Sequence, residues 1–392
     1  MTLTPVPAHV PPENVFDRDF VAFMGELDDP YLSGARLHDG PGVIWATNAS
    51  FGMPAWILTR HDLVHEGFAN ARLFSSLRGP ITAAVMNPDW RLLPVESDAP
   101  FHQQYRTVLR PFFTPEAMSR RFGQVQRLTD ELMAKFLDRG HCEFIAEFAA
   151  ILPNAIVVSM LGMPVEMLDR FMAWEHTAIH GSSHAEQLAA GTAIHDYLGE
   201  YIAEQTRNPT NDLMQAIING QMRDRPLDEA EKLGIVYLLF VVGLDTVFAT
   251  LGWILHHLAT DQALQARLRA HPHEIPQAVE EFTRAFGVSA PSRIVAQDMV
   301  FDGVPMKKGE HVLLPTYLAG RDPRAFANPH VIDIDRKPRH ATFGAGAHVC
   351  LGIHLAKREL TIVIESFLSR TRNLRRAAGG RFAWHASNTI GV

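Results

Sequence analysis

The stretch FGAGAHVCLGIHLAKREL, residues 343–360, runs from a glycine-rich loop into a helical pattern and carries one of the chain's two cysteines. Cys350 stands at the start of that helix, where unpaired backbone N–H groups and the helix dipole favour a thiolate. Gly344, Gly346 and Gly352 permit unusual backbone angles and close approach to a flat ligand, and Phe343 supplies an aromatic wall beside the sulfur. These are the needs of a haem-thiolate site. The residues alone leave two other readings open. One is a glycine-rich start to a helix with a packed cysteine. The other is zinc held by His348, Cys350 and His354, although no CxxC or second thiolate cluster accompanies them.

The rest of the composition is that of a folded globular protein: 47% of the 392 residues are apolar and 20% charged, which excludes disordered, collagen-like and coiled-coil chains. With 36 Lys+Arg against 43 Asp+Glu the net charge is −7, so no global field favours nucleic acid. Two cysteines are too few for a disulfide framework and fit a reducing, cytoplasmic setting. The N-terminus lacks a basic, apolar leader, and the prolines at 5, 7, 11 and 12 make residues 1–15 an extended arm. The apolar run over residues 233–255 is long enough to span a membrane. Asp245 lies near its middle, where a carboxylate costs about 2.5–3.5 kcal/mol, so the run reads as the buried centre of a large soluble protein and no membrane partner is expected.

No repeat or long linker divides the sequence, so residues 1–392 are expected to form a single domain. Val43-Ile44-Trp45 and Trp56-Ile57-Leu58 flank a turn cluster and predict a β-hairpin over 41–60. The pattern predicts helices around 115–138, 141–161, 165–180, 186–207 and 227–259, the last opening on a capping box of Asp228 and Glu231. The run from Pro276 to Phe286 reads as a short helix, followed by short strands at 299–301, 304–306 and 311–314. His176, His180 and His184 recur every fourth residue, but Gly181-Ser182-Ser183 breaks the helix between them and no acidic or cysteine ligand joins them.

The spacing Phe343-Gly344-x-Gly346-x-His348-x-Cys350-x-Gly352 resembles the cysteine loop of the cytochrome P450 family, and other family marks follow in order over nearly the whole chain. The resemblance implies a mainly α fold with small β-sheets around a buried haem b (iron protoporphyrin IX), with Cys350 as the metal ligand. It makes Glu281 and Arg284 the family's buried ExxR pair, completed by Arg336 and bracing the cysteine loop. An i,i+3 pair by itself is an ordinary surface ion pair worth a few tenths of a kcal/mol. It makes Asp245 and Thr246 the acid–alcohol pair that delivers protons during dioxygen activation; a buried threonine can also back-bond and bend its helix. His102, Arg106, Arg293 and His348 match the positions that bind the haem propionates, which need charge-assisted donors when buried.

The activity implied is insertion of one oxygen atom from O2 into an unactivated C–H bond of a small hydrophobic substrate, on the model of the soluble bacterial camphor hydroxylases. No GxGxxG fingerprint appears, so electrons come from outside, by resemblance from a [2Fe–2S] ferredoxin served by an NADH-dependent ferredoxin reductase. Arg72, Arg106, Arg110, Lys337, Arg339, Lys357 and Arg358 offer a local basic face for it. Trp90 stands where the camphor-type pocket has a tyrosine donor, so the expectation is another compact terpenoid and not camphor. Leu238, Val241, Ser289 and Ala290 complete the expected pocket wall. Pro291 replaces an acidic residue near the propionates, and the chain stops at NTIGV, short of the usual last strand. The alternative is a non-catalytic haem-thiolate sensor or binding protein, for which Asp245-Thr246 would be needless.

Overall fold

A computed structural model of the chain describes residues 5–50, 52–77, 89–181, 183–243, 245–386 and 389–392. The protein is mainly helical (53%) with small sheets, as the sequence predicts. The helices of seven residues or more among the described residues are, in chain order, α1 His61–Ala69, α2 Phe101–Leu109, α3 Pro115–Ala134, α4 Ile151–Met160, α5 Leu168–His180, α6 His184–Arg207, α7 Asp212–Ile218, α8 Glu229–Val242, α9 Thr246–Thr260, α10 Gln262–Ala270, α11 Ile275–Ala285 and α12 Ile353–Arg370. The chain forms two compact units: Met1–Pro80 with Ala249–Ile353 and Val363–Val392, and Ile81–Phe248 with His354–Ile362.

The first unit is built on a six-stranded sheet in the order β1-β2-β3-β8-β5-β4. Its strands are β1 Val15–Phe16, β2 Val43–Ser50, β3 Met53–Leu58, β4 Phe74–Ser75, β5 Ser292–Val295 and β8 His311–Leu313. The predicted hairpin is present: Val43 faces Leu58 and Trp45 faces Trp56 across antiparallel β2 and β3. The two indoles meet edge to face with centroids 5.0 Å apart, and Trp56 is fully buried while its Nε1 donates to Glu310 Oε2 at 2.8 Å. Such rings bury 150–250 Å² each, or roughly 4–6 kcal/mol apiece at about 25 cal/mol per Å². Phe68, Phe74, Val295, Met306 and Val312 join the same core.

The end of the N-terminal arm is not free. Val15 and Phe16 pair in parallel with Trp45 and Ala46, and Asn14 Nδ2 donates to Val43 O at 2.8 Å, so the arm extends the sheet. β6 Met299–Phe301 and β7 Val304–Met306 form a separate hairpin; its turn residues Asp302 and Gly303 both take positive φ, 48° and 79°, as a two-residue turn of this hand demands. β9 His385–Ala386 and β10 Ile390–Gly391 form a two-stranded sheet. Thr389 bridges Ser289 and Ile390 N donates to Val288 O at 2.7 Å, which fixes the tail beside the Ser289–Ala290 segment.

The second unit is helical. Four predicted helices appear as α3, α4, α5 and α6, with π-helical residues Ile145–Ala149 ahead of α4 and a 3-10 turn Val165–Met167 ahead of α5. The helix expected over 227–259 differs: it is two helices, α8 and α9, separated between Val242 and Thr246. Gly243 lies in that interval, and a Cβ there would lie 2.3 Å from Val157 Cγ2 of α4, so the approach of α4 requires glycine at this position. The whole apolar stretch Glu229–Thr260 is 59% buried over its most apolar window, as for a core segment.

Candidate active site

In the first unit, α11 carries Glu281 and Arg284, both with no exposed surface. The guanidinium grips the carboxylate through two bonds, Nε to Oε2 at 2.8 Å and Nη2 to Oε1 at 2.7 Å. Its remaining Nη1 donates to Gly320 O at 2.5 Å and Pro329 O at 2.9 Å. Arg336 Nε adds a third donor to Glu281 Oε1 at 3.1 Å, and Asp333 N a fourth at 3.0 Å. Every strong acceptor and donor of the buried pair is thus engaged, the condition under which a buried ion pair is tolerated. The surface-pair alternative is excluded by this burial.

The same helix holds the start of the cysteine loop. Thr342 Oγ1 donates to Thr283 O at 2.8 Å, and Thr283 Oγ1 lies 3.2 Å from His340 Nε2. Beyond Thr342 the chain turns on Gly344 and Gly346, at φ 73° and 68°, the left-handed region that only glycine adopts freely. A Cβ on Gly346 would sit 3.1 Å from Ala69 Cα, so α1 and the loop approach backbone to backbone. Cys350 N donates to Phe343 O at 2.8 Å and closes the loop, leaving the cysteine exposed. The sequence places Cys350 at the helix start; in the structure α12 begins at Ile353, and Leu351-Gly352 form a turn between them. Phe343 and His348 are half-buried beside this loop.

Arg293 on β5 is buried, with its guanidinium 5.5 Å from the Phe68 ring centroid and Nη1 donating to Ser292 O at 2.8 Å. Ala290 is buried and Ser289 half-buried just ahead of it, and Pro291 accepts the Leu314 N–H at 2.9 Å. Arg72, Lys337 and Arg339 are exposed on this unit.

In the second unit, His102 is buried and Arg106 half-buried one turn apart on α2. Between them Tyr105 donates its hydroxyl to Glu231 Oε1 at 2.6 Å, joining α2 to α8. Glu231 also closes the expected capping box with Asp228 and accepts from Arg225 at 2.6 and 2.8 Å. Arg225, against the opposing pull of burial, holds its carboxyl down at about 2. Leu238 is buried and Val241 half-buried on the same helix, and Asp245 is 8% exposed immediately before Thr246 opens α9. Trp90 lies flat on His195 of α6, centroids 3.9 Å apart and planes 6° off parallel, with Tyr237 6.3 Å away. Arg110 is exposed, and Lys357 and Arg358 are half-buried, on this unit.

Two buried acids were not foreseen from the sequence. Glu359 lies inside α12 with Oε1 lacking a hydrogen-bond partner among the described residues, and burial pushes its pKa up to about 8. Glu175 lies inside α5, where burial and then the Asp245 charge push it to about 8. Neither acid carries a sequence signal: Glu359 follows Lys357 and Arg358 like an ordinary surface charge, and Glu175 sits between Trp174 and His176. Among the described residues no cluster of three or more His, Cys, Asp or Glu is arranged to hold a metal ion, so the zinc reading and the His176, His180, His184 reading gain no support; the His180 side chain lies outside the described residues.

The two thiols differ in the way a ligand role requires. Burial, with Glu147 and Glu143 adding to it, raises Cys142 to about 11 and keeps it a thiol, whereas Cys350 is exposed on a glycine-turned loop. Gly344 and Gly346 let the loop pack against Phe68 and Ala69 of α1, while a Cβ on Gly352 would meet nothing within 4 Å, so space lies open beside the turn that follows the sulfur. These residues fit a haem held by a thiolate.

Comparison with known proteins agrees with that class. A family model described as Cytochrome P450 matches residues 170–286 and 275–373. Probable cytochrome P450 127A1 of Sinorhizobium fredii is 30% identical over 402 residues, covering 99% of this chain and 95% of that one. Nocardicin C N-oxygenase of Nocardia uniformis subsp. tsuyamanensis is 32% identical over 344 residues, 83% of this chain and 84% of that one. The crystal structure of CYP101J2 superposes with a TM-score of 0.88 at 29% identity, covering 99% of this chain and 98% of the other. The chain belongs to the cytochrome P450 family: it has the P450 fold, carries haem b, and is a monooxygenase that uses O2 and small substrates.

Proposed function

We propose that this monooxygenase hydroxylates an unactivated C–H bond of a small hydrophobic molecule, a compact terpenoid, in the cytoplasm. Its electrons come from NADH through a ferredoxin reductase and a [2Fe–2S] ferredoxin. The stoichiometry is RH + O2 + 2e⁻ + 2H⁺ giving ROH + H2O. The observation that carries the reading is the exposed Cys350 on a loop whose start is hydrogen-bonded to the helix of the buried Glu281–Arg284–Arg336 cluster.

Haem supplies oxygen activation, which a thiolate ligand favours by donating electron density. The chain's residues do the rest. Cys350 is the ligand, and Glu281, Arg284 and Arg336 hold its loop at one geometry, with Phe343, Gly344 and Gly352 shaping the face beside it. His102, Arg106, Arg293 and His348 donate to the propionates, which as buried carboxylates need such partners. Thr246 holds a hydroxyl at the start of α9 and Asp245 moves protons to it. Trp90, Leu238 and Val241 supply one stretch of wall and Ser289 and Ala290 another, and each favours a compact substrate by shape. Trp90, stacked on His195, contributes an indole face to that wall. Arg72, Arg106, Arg110, Lys337, Arg339, Lys357 and Arg358 receive the acidic ferredoxin.

The test pairs spectroscopy with turnover. The reduced, CO-bound protein is expected to show the Soret band of thiolate ligation, and Cys350→Ser to abolish it. A screen of terpenoids for the low-to-high spin shift, followed by turnover with NADH, reductase and ferredoxin, is expected to yield a hydroxylated product. A histidine-type CO band in the unmutated protein would overturn the ligand assignment, and no spin shift with any terpenoid would overturn the substrate class.

A further inference from the structure

Residues 90–97 run against α8 in close backbone contact. Leu93 N donates to Gly234 O at 3.2 Å, and a Cβ on Gly234 would lie 2.4 Å from Arg91 O, so only glycine lets the two backbones meet. The segment is also braced from within: Glu96 N donates to Leu92 O at 2.8 Å, Leu92 N to Glu96 Oε2 at 2.8 Å, and Ser97 Oγ to Pro94 O at 2.6 Å. Trp90, at its start, is held by side chains. Its indole meets two helices: it lies flat on His195 of α6, centroids 3.9 Å apart and planes 6° off parallel, and tilts at 44° to Tyr237 of α8 at 6.3 Å. One turn before His195 on the same face, Gly191 O accepts the Tyr237 hydroxyl at 3.4 Å, so α6 and α8 are joined beside the stack.

The second torsion of a tryptophan side chain is broad and roughly two-fold, so the angle of an indole is set by what it lies against. For Trp90 that is the imidazole, since rings this close and this parallel touch over their whole area. His195 is fixed in turn, its Nδ1 3.3 Å from Asp196 Oδ1. The stack is not what seats α6. Ile194 and Leu198 of the same helix are fully buried, whereas 27% of the His195 side chain is exposed and Trp90 is half-buried. A ring pair at the margin of the core adds little burial and much orientation. We propose that His195 is a specificity-determining positioning residue: its imidazole fixes the Trp90 indole at one angle and thereby decides which compact molecules the pocket accepts. The proposal rests on the reading of Trp90 as part of the substrate wall. His195 acts through Trp90 and not on the reacting atoms. Without its ring the indole gains other orientations, the wall loses its shape, and a rigid apolar molecule packed against that plane binds less tightly.

The experiment uses the holoenzyme with His195→Ala, His195→Phe and Trp90→Ala. In the reduced, CO-bound protein with isotope-labelled tryptophan, the indole N–H resonance of Trp90 is the one that Trp90→Ala deletes. It is expected to move in His195→Ala, where the neighbouring ring current is gone, while the other indole resonances stay. A Trp90 resonance unmoved by His195→Ala overturns the stack. The wall is read with 4-phenylimidazole, whose nitrogen binds haem iron while its phenyl group fills the pocket, against imidazole, which is too small to do so. His195→Ala is expected to weaken 4-phenylimidazole roughly three- to tenfold, the range a ring pair of this kind carries, and to leave imidazole unchanged. His195→Phe, which restores a planar ring, is expected to bind 4-phenylimidazole like wild type. Equal weakening of both probes, weakening of neither, or a His195→Phe protein as weak as His195→Ala overturns the positioning role. Trp90→Ala separates the underlying reading: if that variant binds 4-phenylimidazole like wild type, Trp90 is no part of the wall and selection through it fails, while the resonance still decides whether His195 holds the indole. A normal thiolate CO band in each variant establishes that the fold is intact.

Discussion

Arg284→Leu removes a guanidinium that makes two bonds to Glu281 and two to the carbonyls of Gly320 and Pro329, all without solvent. The leucine fills much of the space, so the loss is electrostatic. A fully buried carboxylate is left with Arg336 Nε and Asp333 N as its donors. Breaking one partner of a buried pair costs about 3–5 kcal/mol, and the two surviving donors place the effect near the lower limit. Three kcal/mol is roughly a hundredfold in the folding equilibrium, against a total stability of about 5–15 kcal/mol. Arg336, with 13% of its side chain exposed, borders solvent, so water replaces it and Arg336→Ala loses less, about 1–2 kcal/mol. Urea unfolding of the holoprotein measures both losses, and the CO spectrum reports the loop, because Thr283 and Thr342 tie α11 to it. The Arg284 variant is expected to show a lower midpoint and a larger non-thiolate fraction than the Arg336 variant. Equal midpoints for the two variants, or an unshifted midpoint for Arg284→Leu, would refute the bracing argument.

Thr246→Ala is expected to keep NADH consumption but divert electrons to peroxide, because the hydroxyl that organises proton delivery is gone; peroxide and product are quantified together, and unchanged coupling counts against the role. Gly243→Val places branched carbon where Val157 Cγ2 lies 2.3 Å from an added Cβ, and overpacking of this kind costs about 1–3 kcal/mol; a denaturation midpoint equal to wild type would show that α4 yields instead. The Glu231 carboxyl, held at about 2 against an ordinary 4.5, stabilises the folded state above pH 4.5 and loses that contribution as pH falls toward 2. The stability gap between wild type and Glu231→Gln is therefore expected to shrink over that window, by less than the shift alone implies because Arg225 is 47% exposed and screened. A gap independent of pH would contradict it.

What the sequence makes legible is chemistry written in short spacings. The cysteine loop, the Glu281-x-x-Arg284 pair and the Asp228–Glu231 cap each lie within one or two turns of chain; the pair is buried and doubly hydrogen-bonded and the cap is closed, whereas Cys350 stands a turn ahead of α12 and not at its start. The strands were harder. The hairpin over 41–60 shows in its alternation, but β1, β4, β9 and β10 are two residues long and exist because a neighbouring strand receives them. A pattern of two residues has no period to detect.

The break between α8 and α9 marks the other limit. Composition over 227–259 is uniformly helical and apolar, and the close approach of Val157 of α4 to Gly243, far away in sequence, leaves no mark in it. The same holds for Glu175: beside Trp174 and His176 it looks like one polar position on an amphipathic helix, and only its burial in the fold, with the Asp245 charge adding to it, makes it costly to ionise. A carboxyl so placed weakens the core it sits in, since an apolar residue of similar volume would bury better. Local preference and tertiary environment disagree at such a position, and a folded sequence tolerates that disagreement chiefly where something other than stability depends on it. Glu175, an acid buried on α5, meets this criterion. That gives a reason to look for its role in turnover rather than in the fold, and Glu175→Gln is accordingly expected to leave the urea midpoint at or above the wild-type value above pH 8, where the wild-type acid must ionise in place.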